Sequence, residues 1–158
     1  METIFLSPAP MPYLTDCNLK RFGINEYHCS RCCGYFVLIF MLKNTLQFTE
    51  NGILTTLHPG EWYIQRKNIR QDASRPSPKA EYYYIHFEAA YTEDRTNRLM
   101  LPVRGTFQPG LFLPLLQQLE RLLNRTPCSH LELQSEFFRL LGLLYLSLIH
   151  ISEPTRPY

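Results

Sequence analysis

The sequence predicts a mainly β protein that ends in two amphipathic α-helices, and three observations carry this prediction. Residues 35–42 are a continuous aromatic and aliphatic run, too short for a typical helix, which indicates a strand buried on both faces. Asn51-Gly52 lies between two short alternating segments and is a strong β-hairpin signal. After Pro109, leucine and phenylalanine recur at helical spacing. We therefore expect a small β-barrel or sandwich followed by helices.

Length and composition are those of one globular domain. The chain has 158 residues, of which 45% are hydrophobic and 19% charged. Its net charge of +2 lacks the basic excess of a nucleic-acid-binding domain, so contact with DNA would require another segment. No signal peptide opens the chain, and its apolar runs are shorter than the roughly 18 to 20 residues that cross a bilayer. These features predict a cytoplasmic protein without a membrane span.

Residues 57–89 are the stretch around which the other elements are organised, because they contain two predicted strands and the polar loop 66–79. Residues 1–34 are expected to be an irregular N-terminal arm, β-like only at 4–6, that lies across the outside of the barrel or covers one end. The predicted barrel spans residues 35–105 and the helical region residues 106–145. The remaining strand predictions are 45–50, 53–57, 61–65, 81–89 and 99–103.

Residues 81–89 alternate between two different faces, which suits a strand with one face on the core and one facing a cavity or water. The sequence does not say which face is which. Flat aromatic rings that also carry polar groups can stack on a small organic molecule and orient its hydroxyl groups. The candidate ligand-binding residues are Trp62, Tyr82, Tyr84 and His86.

The sequence contains no motif for catalysis. It has no H-x-H metal pair, no G-x-S-x-G nucleophile and no glycine-rich phosphate loop. Its five cysteines include one C-x-x-C spacing, Cys29 to Cys32, without a second ligand pair, so ordinary thiols are expected. We therefore predict a pocket that binds without reacting, with no catalytic residue, no metal and no cofactor.

The two predicted helices are rich in leucine, and Ser129 with Glu132 resembles a capping box at the start of the second helix. Two uses of their apolar residues are open: they pack on the barrel, or they form a homodimer interface. The candidate dimerisation residues are Phe112, Leu115, Leu116, Leu119, Leu122, Leu123, Phe137 and Leu141.

These features together resemble the N-terminal domain of AraC-family transcription regulators. The matching pieces are the hairpin at Asn51-Gly52, the L-x-P-G-E turn at residues 57–61 and the Y-Y-Y-I-H-F strand at residues 82–87, within residues 35–145. The resemblance implies a cupin-like β-barrel, or double-stranded β-helix, that binds an effector. It also implies helices that dimerise and a C-terminal domain with two helix-turn-helix units.

The chain departs from the family pattern at three places. Lys43 replaces the glycine usual after the first buried strand, residues 65–71 lack the usual proline and histidine, and no DNA-binding domain is present. We expect the effector-binding and dimerisation portion of a bacterial regulator that senses a small molecule, with a sugar as one candidate. DNA would be reached only through the missing domain. A stand-alone metal-dependent cupin enzyme, such as an isomerase or dioxygenase, and a ligand-free interaction domain are the alternatives.

Residues 146–158 resemble the conceptual translation of a sequencing adapter rather than protein-coding DNA. We therefore expect the native sequence to stop near Tyr145, within the second helix, and the tail to be poorly packed.

Overall fold

The computed structural model describes residues 1–152, with side chains described through residue 149. These residues form eleven β-strands followed by two α-helices, so the mainly β prediction with two C-terminal helices is confirmed. The elements are β1 (Thr3–Leu6), β2 (Tyr13–Arg21), β3 (Arg31–Cys32), β4 (Phe36–Lys43), β5 (Leu46–Glu50), β6 (Ile53–Leu57), β7 (Glu61–Gln65), β8 (Arg70–Asp72), β9 (Glu81–Glu88), β10 (Leu99–Pro102), β11 (Arg104–Thr106), α1 (Pro109–Leu123) and α2 (His130–Ser152).

The strands form three antiparallel sheets. The central sheet has the order β11-β7-β4-β9-β2, the second sheet has the order β3-β8-β5-β6, and β1 pairs with β10. The central and second sheets face each other, since Tyr63 of β7 packs edge-on against Phe48 of β5 with 5.5 Å between ring centroids. The sheets of the described residues are not closed into a barrel, so the closed barrel of the prediction is wrong.

The buried strand and the hairpin form for the reasons that the sequence indicated. The first six residues of β4 are buried, because this strand lies in the middle of the central sheet with neighbours on both edges. Asn51 and Gly52 have φ angles of 51° and 79°, the left-handed conformation that a tight hairpin turn requires. The turn sets the register of β5 on β6, with Glu50 opposite Ile53.

Two segments predicted as irregular are strands. Eight of the nine residues of β2 pair with β9, so the prediction of an irregular N-terminal arm is wrong for this segment. A β-bulge between Leu14 and Asp16 shifts the alternation of β2, which hides its period from the sequence pattern. Likewise β8 forms within the predicted loop 66–79, because it pairs with β3 and β5. The proposed division of the chain at residue 34 stays a prediction.

Both helices pack on the central sheet, and each meets it through aromatic contacts. Phe112 of α1 lies 5.5 Å from the ring of Phe40, and Phe137 of α2 lies 5.5 Å from Phe87. The Ser129 hydroxyl accepts a hydrogen bond of 3.4 Å from the backbone N–H of Glu132, as expected for the predicted helix start. Helix α2 continues through Ser152, beyond the predicted native end, and residues 153–158 lie outside the described residues.

A buried glutamine joins α2 to the edge of the central sheet. Gln134 accepts a hydrogen bond from the backbone N–H of Leu14 and donates one to its carbonyl, both at 2.9 Å. An edge strand presents backbone groups that no neighbouring strand satisfies. Gln134 thus takes the place of a further strand next to the bulge in β2.

Candidate functional site

The two faces of β9 have different surroundings. Tyr83 and Phe87 face the helices, since Tyr83 donates a hydrogen bond of 3.0 Å to Glu120 of α1 and Phe87 packs on α2. Residues directly opposite each other on neighbouring strands share a face of the sheet. Tyr84 lies opposite Ile39, which lies opposite Tyr63, and Tyr63 packs on the second sheet. The face of Tyr82, Tyr84 and His86 is therefore the one between the two sheets.

Trp62 belongs to the other face. It lies opposite Phe40, which lies opposite Tyr83, so its ring is on the helix side of the central sheet. The side chain is fully buried. The structure therefore brings Tyr82, Tyr84 and His86 together on one face but does not bring Trp62 to them.

Two tyrosine rings lie against the ring of His86. The ring centroid of His86 lies 4.7 Å from Tyr35 and 4.9 Å from Tyr84. Tyr82 is more deeply buried and packs edge-on against Phe22 with 5.6 Å between centroids. Tyr35, Tyr84 and His86 remain partly exposed, so their rings are the accessible part of this face.

Asp16 of β2 supplies the hydrogen-bond acceptor of the cluster. Its Oδ2 atom accepts a hydrogen bond of 3.2 Å from the Tyr84 hydroxyl and lies 4.0 Å from Nδ1 of His86. Its Oδ1 atom is held by the backbone N–H of Cys17 at 2.9 Å and by the Asn18 amide at 3.1 Å. The carboxylate is therefore fixed beside the aromatic rings while part of it remains exposed. We name Asp16, Arg31, Tyr35, Tyr84 and His86 the aromatic site.

A buried polar network positions Arg31. Its Nη2 and Nε atoms donate to the side-chain oxygens of Gln65, at 3.0 Å, and Gln71, at 3.2 Å. Because the Gln65 oxygen accepts from Arg31, its amide nitrogen donates to Nε2 of His28 at 2.9 Å. Nδ1 of His28 then carries the proton and donates to the Cys29 carbonyl, also at 2.9 Å. This chain of hydrogen bonds holds the guanidinium between the two sheets.

Both histidines of this region are kept neutral. Burial lowers the pKa of His28 to about 4, and the nearby Arg31 acts in the same direction. Burial and the positive charge of Arg31 also lower the pKa of His86, against the opposing effect of Asp16. A neutral imidazole can donate and accept hydrogen bonds at the same time. His86 therefore offers a flat polar face at neutral pH.

The aromatic site combines stacking surfaces, a carboxylate acceptor and a guanidinium donor. Such a set can hold a flat or ring-shaped small molecule and orient its polar groups. Sequence reasoning missed Asp16, Arg31 and Tyr35, because the first two lie in the segment interpreted as an irregular arm. The contiguous Asp16-Cys17-Asn18 and the polar segment at Arg31 carried no periodic signal that could have located them.

No metal or membrane element appears in the described part of the chain. Within the described residues, no three histidine, cysteine or acidic side chains are grouped so that they could hold a metal ion. Among the same residues, no helix is long and apolar enough to cross a bilayer. All five cysteines are free thiols.

The candidate dimerisation residues lie mostly inside the protomer, because the helices use them to pack on the central sheet and on each other. Leu123 is partly buried. The buried members are Phe112, Leu115, Leu116, Leu119, Leu122, Phe137 and Leu141.

Comparison with known proteins points to transcription regulation. No protein-family model matches the chain. It is 24% identical over 146 residues to the uncharacterized HTH-type transcriptional regulator YisR of Bacillus subtilis (strain 168). The matched region covers 78% of this chain and 50% of that protein. The chain thus spans half the length of the curated relative that it matches, and it is similar to part of a transcription regulator.

Proposed function

We propose that the chain is the effector-binding and dimerisation portion of a bacterial AraC-type transcription regulator. The observation that supports this most directly is the similarity to an HTH-type regulator over 146 residues, which covers half of that relative. In this proposal the helix-turn-helix segments lie outside the chain, and the protein works in the cytoplasm by binding rather than by catalysis. The net charge of +2 agrees with a portion that does not itself contact DNA. The two facing sheets would be an open form of the cupin-like arrangement.

The aromatic site is the proposed effector site, and a sugar is one candidate ligand. Tyr35, Tyr84 and His86 would stack on the ring of the effector. Asp16 would accept hydrogen bonds from its hydroxyl groups, and Arg31 would donate to its oxygens. The strands that carry Asp16, Arg31, Tyr84 and His86 are hydrogen bonded to neighbouring strands while these side chains remain partly exposed, so this part of the site is preformed.

Hydrogen bonds connect the strand that carries Asp16 of the proposed effector site to helix α2. Asp16 lies two residues from Leu14, whose backbone groups bond Gln134 of α2. An effector that draws Asp16 towards Arg31 would move the edge strand β2 and, through Gln134, bias the position of α2. Such an effector would bind one of two arrangements of β2 and α2 more tightly than the other. It can shift the equilibrium between them by no more than the ratio of its affinities for the two arrangements.

Homodimerisation is proposed to use the outer surface of α2. The exposed apolar side chains Phe138 and Tyr145 lie on this helix. Phe138 and Tyr145 line, with the candidate residue Leu141, an apolar groove of about 310 Å³. Sedimentation over a range of concentrations should show self-association that F138E abolishes and R139E, a change at an exposed residue of the same helix outside the groove, leaves intact. A strictly monomeric wild-type chain at high concentration contradicts this part of the proposal.

Effector binding is tested by a thermal-shift screen against sugars and small organic acids, followed by calorimetry on any hit. A ligand at about one hundred times its Kd should stabilise the fold by about 2.7 kcal/mol. Y84F and H86A should weaken binding, whereas Y83F, which changes the opposite face of the same strand, should not. Stoichiometric iron, manganese or zinc in the purified protein would favour the cupin enzyme. Stabilisation by no compound would favour a ligand-free interaction domain.

The regulator assignment has a separate test at the level of the gene. The uninterrupted coding sequence downstream of the codon for Tyr145 should contain two helix-turn-helix patterns. A coding sequence without them contradicts the family assignment, whatever the binding experiments show.

A further inference from the structure

A second cleft lies at the opposite edge of the central sheet from the aromatic site. It opens where the edge strand β6 of the second sheet approaches β7 and β11, and its volume is about 430 Å³. Within the central sheet, β4 separates β7 from β9, which carries the aromatic site. None of the residues that line the second cleft belongs to the aromatic site. The cleft is lined by Met1, Glu2, Glu50, Ile53, Thr55, Tyr63, Arg66, Val103 and Arg104.

Glu50 is the unusual residue of this cleft, because its carboxylate is only 2% exposed. The alternation of β5 turns Leu46, Phe48 and Glu50 to the same buried face. Oε1 of Glu50 accepts a hydrogen bond of 2.7 Å from Nε of Arg66. Oε2 accepts none from the described residues. A buried acceptor atom of a charged group that lacks a hydrogen bond lowers the stability of the fold. Its presence on the wall of a cleft therefore points to a ligand that donates the missing hydrogen bond.

The charges around Glu50 are nearly balanced. Arg66 is shared between Glu50 and Glu2, with which its Nη1 atom forms an ion pair. Arg104 is bound by Glu61, at 2.9 Å. A cationic ligand at Oε2 would approach Arg66, and an anionic ligand would approach the carboxylates of Glu50 and Glu2. A neutral molecule avoids both repulsions.

The remaining polar side chains of the cleft are the hydroxyl groups of Thr55 and Tyr63, which can both donate and accept hydrogen bonds. Tyr63 and Thr55 lie on the buried part of the wall and interact with each other. Burial raises the pKa of the Tyr63 hydroxyl, with the negative charge of Glu50 as a further cause, so it stays protonated. Val103 and Ile53 add apolar surface beside them. Carboxylate, guanidinium, hydroxyl and apolar groups that line one cleft suit a molecule that carries several adjacent hydroxyls.

We propose that this cleft binds a neutral polyhydroxylated small molecule of the size of a monosaccharide or cyclic polyol. One ligand hydroxyl donates to Oε2 of Glu50, and a neighbouring oxygen accepts from Arg66. The Thr55 and Tyr63 hydroxyls bind the next position. The volume falls within the range of roughly 300 to 1,000 Å³ found for small-molecule sites. This site is independent of the effector site under Proposed function and of the regulator assignment.

The test is an NMR titration of the uniformly ¹⁵N-labelled chain with D-glucose, D-ribose and myo-inositol as neutral probes, and with putrescine and citrate as charged comparators. At least one neutral probe should saturably shift the amides of Thr55, Tyr63 and Arg66, and the charged comparators should not. E50Q should weaken this binding by about tenfold or more, the size expected when a hydrogen bond to a charged acceptor is lost. E93Q, the same change at an exposed glutamate, should leave the Kd unchanged.

A second variant keeps the proposal testable where E50Q fails to fold. T55V retains the shape of the wall and removes one hydroxyl, so it should weaken binding with the fold intact. Three results would overturn the proposal: no saturable shift with any neutral probe, as for a cleft filled by water alone; preferential binding of putrescine or citrate; or neutral-probe binding that both E50Q and T55V leave unchanged. Because the readout is at residues 55, 63 and 66, failure here is distinguishable from failure of ligand binding at Tyr84 and His86.

Discussion

The indole ring of Trp62 lies directly over Gly105 on the neighbouring strand, so that a Cβ atom at position 105 would lie 2.8 Å from three ring atoms. No side chain fits there unless the indole moves. The side chain of Trp62 is fully buried. The packing of the indole on Gly105 is therefore part of the core on the helix side of the sheet, where the strand register places Trp62.

Gly105→Ala should lower the free energy of unfolding by about 1–3 kcal/mol, because the added methyl displaces a packed indole. Urea unfolding followed by Trp62 fluorescence measures both the stability and the change in ring environment. The matched control is Gly142→Ala on α2, where an added Cβ meets nothing within 4 Å. That change should be neutral or stabilise by up to about 1 kcal/mol. Equal effects at the two glycines would contradict the close approach.

Gln134→Met should destabilise the fold by removing both hydrogen bonds to the Leu14 backbone. Each buried backbone group left unpaired costs roughly 1–3 kcal/mol. Hydrogen exchange should show the loss locally, as faster exchange of the Leu14 amide than in the wild type. Gln117→Met, on the exposed surface of α1, should leave both stability and exchange unchanged. An unchanged Leu14 amide in Q134M would show that another group satisfies this edge.

Tyr83→Phe should cost roughly 1–2 kcal/mol, since it removes the hydrogen bond of 3.0 Å to Glu120 that joins the central sheet to α1. Burial and this hydrogen bond raise the pKa of Tyr83 to about 12. A double-mutant cycle with E120Q isolates the pair. Additive effects of Y83F and E120Q would contradict a direct interaction.

The stability of the protein should fall between about pH 6.5 and pH 4 because His28 is buried in its neutral form. Its native pKa of about 4 lies below the ordinary histidine pKa of 6.5, so in this window the unfolded chain binds a proton that the native chain does not. The contribution is fully present above pH 6.5 and is lost as the pH falls towards 4. A difference of this size corresponds to at most about 3 kcal/mol. Replacing His28 with a side chain that does not titrate should therefore reduce the dependence of stability on pH.

Urea unfolding of wild type, H28F and F48L at several pH values provides the measurement. Phe48 packs on the His28 ring with 5.0 Å between centroids, so F48L weakens the packing while keeping the titrating group. H28F should lose part of the pH dependence, whereas F48L should be less stable at every pH with the slope retained. A wild-type slope in H28F would contradict the assignment of the proton uptake to His28.

Sequence patterns predicted single strands better than the contacts between them. The alternation within residues 81–88 correctly separated Tyr82, Tyr84 and His86 from Tyr83, Ile85 and Phe87. The structure does not bring the candidate residue Trp62 to the first group, because strand pairing decides which residues of two strands share a face. Phe40 lies opposite both Trp62 and Tyr83, and no local pattern encodes that register.

The same reason accounts for the site residues that sequence reasoning missed. Asp16 is aligned with His86 only after the bulge in β2 shifts the register. Arg31 reaches the space between the sheets because a two-residue strand pairs with β8, and short polar strands have no hydrophobic period to reveal them. Glu50 and Gln65, both polar, are buried because their strands alternate them onto the inner face.

By itself, the sequence determined the order of most strands, the hairpin at Asn51-Gly52 and the two C-terminal helices, since these depend on local periodicity and on backbone preferences of single residues. Only the tertiary structure decided that the sheets face each other without closing and that the helix leucines are used inside the protomer. It also decided that Asp16 and Arg31 come close enough to His86 to affect its pKa. These features depend on pairing between segments far apart in the chain. That pairing is selected by the burial of whole faces rather than by any residue's own preference.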